Sequence, residues 1–260
     1  MICRPRTALI RVLLCSMTTM ATISGAALTP SALAAEVSCN RWQALHVSGL
    51  AGEPLVVRNK PSINRNDEGM CLSVAGNGAN FTVVRSPGNL PSLKVRAYPY
   101  IGTGCFEGAC SSHHQGRLPR AGALGNYTVS WSTSTPANSG KWNSSLDLWL
   151  GPHSGIGSTE IMIWLQYSGP SWWVNLYPKV WIDGAQWYEV PHTTPEGQYY
   201  MSFRRASPVT SATLRLAPFM ARAIPLGVVS PNDLLWAVQA GFEIWSGGAG
   251  LAVTSFSTSH

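Results

Sequence analysis

From Leu55 to Phe256 the chain breaks into short runs of β-branched and aromatic residues, each closed by Gly, Pro, Asn or Ser. The runs are Leu55–Val57, Phe81–Val84, Leu93–Val95, Tyr127–Trp131, Leu146–Leu150, Glu160–Gln166, Lys179–Ile182, Gln186–Val190, Gln198–Phe203 and Gly241–Phe256. Many short strands at this spacing predict an all-β sandwich or barrel. One short helix is predicted over about Leu216–Ile224, with Pro218 in its first turn. Charged residues make up only 12% of the chain, about half the usual share, which excludes a coiled coil or helical bundle. Hydrophobic residues make up 45% of 260, enough for a sizeable core. With no internal repeat, long linker or charge block, residues 35–260 are predicted to form a single domain.

The segment before that domain has a different character. Arg4, Arg6 and Arg11 precede an apolar stretch from about Val12 to Leu28, and Ser31-Ala32-Leu33-Ala34-Ala35 closes it with small residues. This is the layout of a secretory signal peptide over residues 1–34. The stretch contains several Ser and Thr and falls short of the ~20 apolar residues of a membrane span. Its removal takes three Arg and no acid, so the formal charge of +6 falls to +3. No dense basic run remains, and a nucleic-acid partner is excluded. Four cysteines, Cys39, Cys71, Cys105 and Cys110, follow the signal, an even number suited to an oxidising compartment. They allow three pairings, and the short Cys105/Cys110 loop favours Cys39–Cys71 with Cys105–Cys110. A zinc site is the weaker reading, because no Cys-x-x-Cys occurs and His113 and His114 are adjacent.

Only 12 acids are present, and their placement is informative. In a strand, residues two apart share a face. Over Thr159–Gln166 this puts Glu160, Met162, Trp164 and Gln166 on one face and Ile161, Ile163 and Leu165 on the other. In Ser145–Leu150 it sets Ser145, Asp147 and Trp149 against three Leu. In Gly241–Trp245 it sets Glu243 and Trp245 against Phe242 and Ile244. Three strands therefore each pair an acid with a Trp, opposite an apolar face. Cleavage of a glycosidic bond needs two carboxyl groups flanking the anomeric carbon, and indoles stack on the C–H faces of sugar rings. Interleaved carboxylates and Trp thus suit a carbohydrate cleft.

Other chemistries find no support. There is no Gly-x-Ser-x-Gly elbow, His-Glu-x-x-His, P-loop or dinucleotide fingerprint. His46, His153 and His192 stand isolated and read as surface or structural. Asn80-Phe81-Thr82, Asn126-Tyr127-Thr128 and Asn143-Ser144-Ser145 match glycosylation acceptors. Nothing calls for a cofactor or a metal, and nothing indicates an oligomer, so a monomer is expected.

Thr159-Glu160-Ile161-Met162-Ile163-Trp164-Leu165 resembles the Glu-Leu-Met-Ile-Trp signature of glycoside hydrolase family 12, and Val238–Leu251 resembles that family's C-terminal motif. The resemblance continues through Tyr98-Pro99, Gly104-Cys105 to Cys110, Leu146–Leu150, Gly169-Pro170 and Gly184-Ala185-Gln186-Trp187. It covers nearly the whole chain after the signal and is closest to the secreted bacterial endoglucanases.

This resemblance implies a β-jelly roll of two curved antiparallel sheets, the concave one forming a cleft for a β-1,4-glucan chain. It implies hydrolysis with retention, with Glu160 as nucleophile, Glu243 as acid/base and Asp147 hydrogen-bonded to Glu160. Retention asks for carboxyls about 5 to 5.5 Å apart. Met162, Trp164 and Trp245 would line the cleft, and Asn59 sits where the family has an Asn ahead of a cleft-lining Trp. Here the segment reads Asn59-Lys60-Pro61-Ser62-Ile63, so that Trp is missing. After Gly169-Pro170 the family's turn is replaced by Trp172-Trp173-Val174. The expected protein is a secreted endo-β-1,4-glucanase (cellulase) bound to no membrane once its signal is cleaved. Xyloglucan or mixed-linkage glucan remains open as the substrate, and a weakly active or purely carbohydrate-binding protein is the alternative.

Overall fold

The computed structural model describes residues 35–49, 52–61, 69–75, 78–86, 95–111, 118–152, 159–169, 176–193 and 199–260. Residues 1–34, read from the sequence as a signal, and Leu93-Lys94, Pro170, Trp172-Trp173-Val174 and Gln198 lie outside them. In chain order the strands are β1 (Glu36–Ser38), β2 (Ala44–Ser48), β3 (Pro54–Arg58), β4 (Cys71–Val74), β5 (Phe81–Arg85), β6 (Tyr100–Phe106), β7 (Ala109–Cys110) and β8 (Thr128–Ser134). They continue with β9 (Gly140–Gly151), β10 (Thr159–Ser168), β11 (Lys179–Ile182), β12 (Ala185–Thr193), β13 (Tyr199–Arg205), β14 (Ser211–Arg215), β15 (Leu234–Gly247) and β16 (Ala252–Ser259). One helix, α1 (Ala217–Ala223), stands within the span the sequence predicts, with Pro in its first turn.

These strands form a sandwich. A six-stranded sheet has the order β1-β4-β5-β16-β8-β14, and a ten-stranded sheet the order β11-β12-β13-β10-β9-β15-β6-β3-β2, with β7 paired to β6. The all-β jelly roll expected from the sequence is therefore the fold. It departs from the expectation in one respect, since β10 and β13 run parallel. β13 is antiparallel to β12, and β12 to β11, so β13 takes the direction of β11 and meets β10 after a crossover rather than a hairpin.

The alternation read from the sequence sorts the ten-stranded sheet into two faces. Leu146, Leu148 and Leu150 of β9, Ile161, Ile163 and Leu165 of β10, and Phe242 and Ile244 of β15 enter the core. There they meet Phe81, Val83, Val129, Trp131, Val253 and Phe256 of the other sheet. Phe242 stands edge-on to Phe81 and Trp142, with ring centroids 6.4 and 6.0 Å apart. Helix α1 extends the same core, Phe219 packing edge-on against Trp187 and Phe203 at 5.2 and 5.4 Å. One expected orientation is corrected. The β9–β10 register shifts between Trp164 and Gln166, and the Gln166 amide donates to the hydroxyls of Thr133 and Thr135 at 3.1 and 3.3 Å, Thr133 lying on β8 of the opposite sheet. A β-bulge admits an extra residue and breaks the two-residue period, so Gln166 leaves the face of Glu160, Met162 and Trp164.

Disulfides join Cys39 to Cys71 and Cys105 to Cys110, the pairing expected from the short loop. The first ties the chain just after β1 to β4, and the second closes the β6–β7 hairpin.

Candidate active site

The face of the ten-stranded sheet turned away from the core holds the acids. β9 runs between β10 and β15 and touches both sets of partners. Asp147 lies between Met162 on one side and Gln239 on the other. Glu160 is registered opposite Trp149, and Glu243 opposite Asn143. Gly241 makes room for this arrangement, because a Cβ there would come within 2.3 Å of the Pro99 carbonyl oxygen, which accepts from the Phe242 N–H at 3.2 Å. Backbone from the segment before β6 thus lies against β15 beside Glu243.

Burial dominates the electrostatics. Asp147 is fully buried, and desolvation raises its pKa to about 6, although hydrogen bonding from Ser145 and Tyr98 pulls the other way. Burial pushes the Glu160 carboxyl well above the usual range, and the charges of Asp147 and Glu243 push it further. Glu243 rises to about 8, again chiefly by burial and then by the charge of Asp147, while Asn143, Arg204 and Lys60 oppose the rise. Three carboxyls so close in a low dielectric cannot all ionise near neutral pH. Asp147 and Glu160 are linked by a hydrogen bond and titrate as a pair.

Several partners of these acids were not singled out by sequence reasoning. The Asn143 amide donates to Glu243 Oε2 at 2.5 Å and its oxygen accepts from the Glu243 N–H at 3.1 Å. Asn143 is completely buried, which removes it as a glycosylation acceptor. Strand parity held the signal, since Asn143 shares a face with Ser145 and Asp147. Lys60 is the second. Its Nζ lies 3.0 Å from Glu107 and over the rings of Phe106 and Trp149, at 5.1 and 5.7 Å from their centroids. Its charge favours ionisation of all three acids.

Beside Glu243 is a pocket of about 260 Å3 lined by Val95, Met162, Trp164, His192, Tyr200, Arg204 and Trp245. Met162, Trp164 and Trp245 form one apolar cluster there, on the face where alternation placed them. The Arg204 guanidinium lies 4.0 Å from the centre of the Trp164 ring. His192 stacks on Tyr200 at 4.4 Å and contacts Ser202 Oγ at 3.0 Å. Burial and the neighbouring Arg204 lower its pKa to about 4. The reading of His192 as an isolated residue is corrected, because it is neutral and borders the pocket. Asn59 is placed differently from the other expected binding residues. It is buried, donates its side-chain amide to the Met70 carbonyl at 3.0 Å, and does not line this pocket. Pro61, in the position of the missing Trp, is bridged to Ala97. Trp149 faces the acids' side, yet one ring face is covered by Phe106 at 3.9 Å, and its Nε1 donates to Gln239 Oε1 at 3.0 Å. Among the described residues no group of three His, Cys, Asp or Glu is arranged to hold a metal ion.

Paired carboxyls, half-buried beside an aromatic pocket, are the apparatus of a glycosidase, and comparison with known proteins agrees. Residues 117–260, more than half the chain, match the family model described as Glycosyl hydrolase family 12. The chain belongs to glycoside hydrolase family 12. A solved structure of a metagenome-derived family 12 endoglucanase is 31% identical with a TM-score of 0.74, the match covering 87% of this chain and 98% of that one. Endoglucanase Cel12A from Rhodothermus marinus is 32% identical with a TM-score of 0.73, over 86% and 98% of the two chains. A probable cellulase, Cel12b, of Mycobacterium tuberculosis is 26% identical over 133 residues, 45% of this chain and 80% of that protein. This family 12 member is accordingly a glycoside hydrolase.

Proposed function

We propose that this family 12 enzyme is a secreted endo-β-1,4-glucanase that cleaves internal bonds of a β-glucan with retention, using Glu160 as nucleophile and Glu243 as acid/base. The observation that supports it best is Glu243, whose pKa of about 8 keeps it protonated at neutral pH beside an aromatic pocket on the face that also holds Glu160. In the first step the Glu243 proton passes to the glycosidic oxygen as the C–O bond breaks, and a Glu160 oxygen bonds the anomeric carbon to form a glycosyl ester. The Glu243 carboxylate then takes a proton from water, the hydroxyl attacks the anomeric carbon, and Glu160 leaves as carboxylate. Glu160 must start ionised despite its burial. The charge of Lys60 favours that form, against burial and the charges of Asp147 and Glu243.

Glu160→Gln should abolish release of reducing ends from carboxymethylcellulose, and proton NMR of the wild-type reaction should show the β-anomer first. Full activity in Glu160→Gln, or the α-anomer first, would overturn the assignment. Parallel assays on carboxymethylcellulose, xyloglucan and barley β-glucan settle the preferred chain. The named relatives, endoglucanases and a probable cellulase, support an unbranched β-1,4-glucan. Residues 1–34 are proposed as the cleaved signal, and the mass of exported protein, with cleavage after Ala34 or Ala35, checks this.

A further inference from the structure

The cleft face does not end at the pocket. Ladder register places Trp164, Arg204, Tyr188 and Lys179 in one row across β10, β13, β12 and β11. Arg204 lies over Trp164 at 4.0 Å and Lys179 over Tyr188 at 5.1 Å, so cations and rings alternate along it. One step further along β11 is Trp181, opposite Gln186. Its neighbours Val180 and Ile182 pack with the core, so by alternation the indole stands on the cleft side. It is 73% exposed. On a flat sheet, three strand spacings and one two-residue step would put it on the order of 16 Å from Trp164.

A single exposed apolar residue is ordinary on a protein surface. Trp181 differs because it borders a hollow of about 240 Å3 whose other walls are Gly184, Ala185, Gln186, Arg205 and Ser207. By the same alternation the Arg205 side chain belongs to the other face, that of Phe203 and Trp187. Arg205 donates from Nε to the Ser207 carbonyl at 3.2 Å, and its guanidinium lies over the buried Trp187 at 5.4 Å. The exposed Trp181 indole with Gln186 opposite it on the same face suits a neutral polyol ring, which stacks through its C–H face and hydrogen-bonds at its edge. A polymer crossing the strands from the pocket would follow the Arg204–Tyr188–Lys179 row towards this corner.

We propose that Trp181 and Gln186, beside this hollow, form an outlying β-glucan platform that holds a stretch of polymer already clear of the cleft. It rests on the reading of this enzyme as a β-glucan hydrolase. Depletion binding to phosphoric-acid-swollen cellulose, measured in the Glu160→Gln background, tests it without hydrolysis. Adding Trp181→Ala should weaken binding roughly fivefold or more, the scale of a truncated anchor aromatic, whereas Trp181→Tyr should retain most of it. In the active enzyme, Trp181→Ala should lower the ratio of the rate on swollen cellulose to that on a short soluble cello-oligosaccharide by a similar factor. Unchanged binding and an unchanged ratio would overturn the platform, as would an equal loss on polymer and oligosaccharide. A wild-type protein that binds cellulose but hydrolyses no β-glucan would instead refute the catalytic reading, and the binding comparison would still judge Trp181.

Discussion

Replacing Asn143 should move the alkaline limit of activity without touching an acid. Its amide is the one side-chain hydrogen bond that opposes the rise in the Glu243 pKa, and it is made at 2.5 Å in a fully buried position. A hydrogen bond to a charged group contributes about 1.5–3 kcal/mol, and one pKa unit corresponds to about 1.4 kcal/mol. Asn143→Ala should therefore lift Glu243 from about 8 by roughly one to two units. On the proposed mechanism Glu243 acts in its protonated form, so the descending limb of kcat/KM, which reports the free enzyme's acid, should shift to higher pH. Asn143→Asp keeps the shape, exchanges the donor for an acceptor and adds negative charge, so it should shift the limb the same way and further. The assay is the pH profile of kcat/KM on carboxymethylcellulose, with melting temperature followed alongside, because Asn143→Ala also leaves the Glu243 N–H unpaired at a cost of about 1–3 kcal/mol. An unmoved limb in both variants, or a shift to lower pH, would refute the assignment of Glu243 as the acid or of Asn143 as its regulator.

The same burial makes stability depend on pH. Glu243 binds its proton more tightly folded than unfolded, so its contribution is complete below the ordinary carboxyl range and is lost as pH rises towards 8; melting temperature should fall across that window, and Glu243→Gln should flatten the fall. Lys60 favours the ionised forms of all three acids, so Lys60→Met should move the acidic limb of the kcat/KM profile upward. The bridge between Cys39 and Cys71 spans 32 residues and that between Cys105 and Cys110 spans 5. Loop entropy then assigns about 4 and about 2 kcal/mol respectively, and urea unfolding of the two paired Cys→Ala variants should rank them in that order.

Strand parity made much of the cleft legible before any coordinates. Met162, Trp164 and Trp245 fall on the face of the acids because Ile161, Ile163, Phe242 and Ile244 opposite them are apolar without exception, and a two-residue period has no other solution. Gln166 defeats the same rule, since a bulge at Leu165 has no mark in an otherwise regular run. Arg204 and His192 were readable in principle. Arg204 alternates with the core residues Met201 and Phe203, and His192 shares its strand with core Trp187, but which strands would sit beside Glu243 depends on pairing between distant segments. The parallel contact of β10 with β13 is of that kind. Asn59 was named through analogy alone. An Asn-x-Trp pattern without its Trp leaves the Asn free to serve packing, and here its amide holds the Met70 carbonyl.

The two sheets share a property with consequences for how the protein is made. The last two strands are not edges: β15 lies between β9 and β6, and β16 between β5 and β8. The larger sheet is therefore two fragments with an open seam until β15 is made through Gly247, and the smaller until β16 is made through Ser259; β15, the strand that bears Glu243, closes the seam beside Asp147. Closing each seam pairs strands distant in the chain, so the folding rate is set by long-range closure rather than by local hairpins.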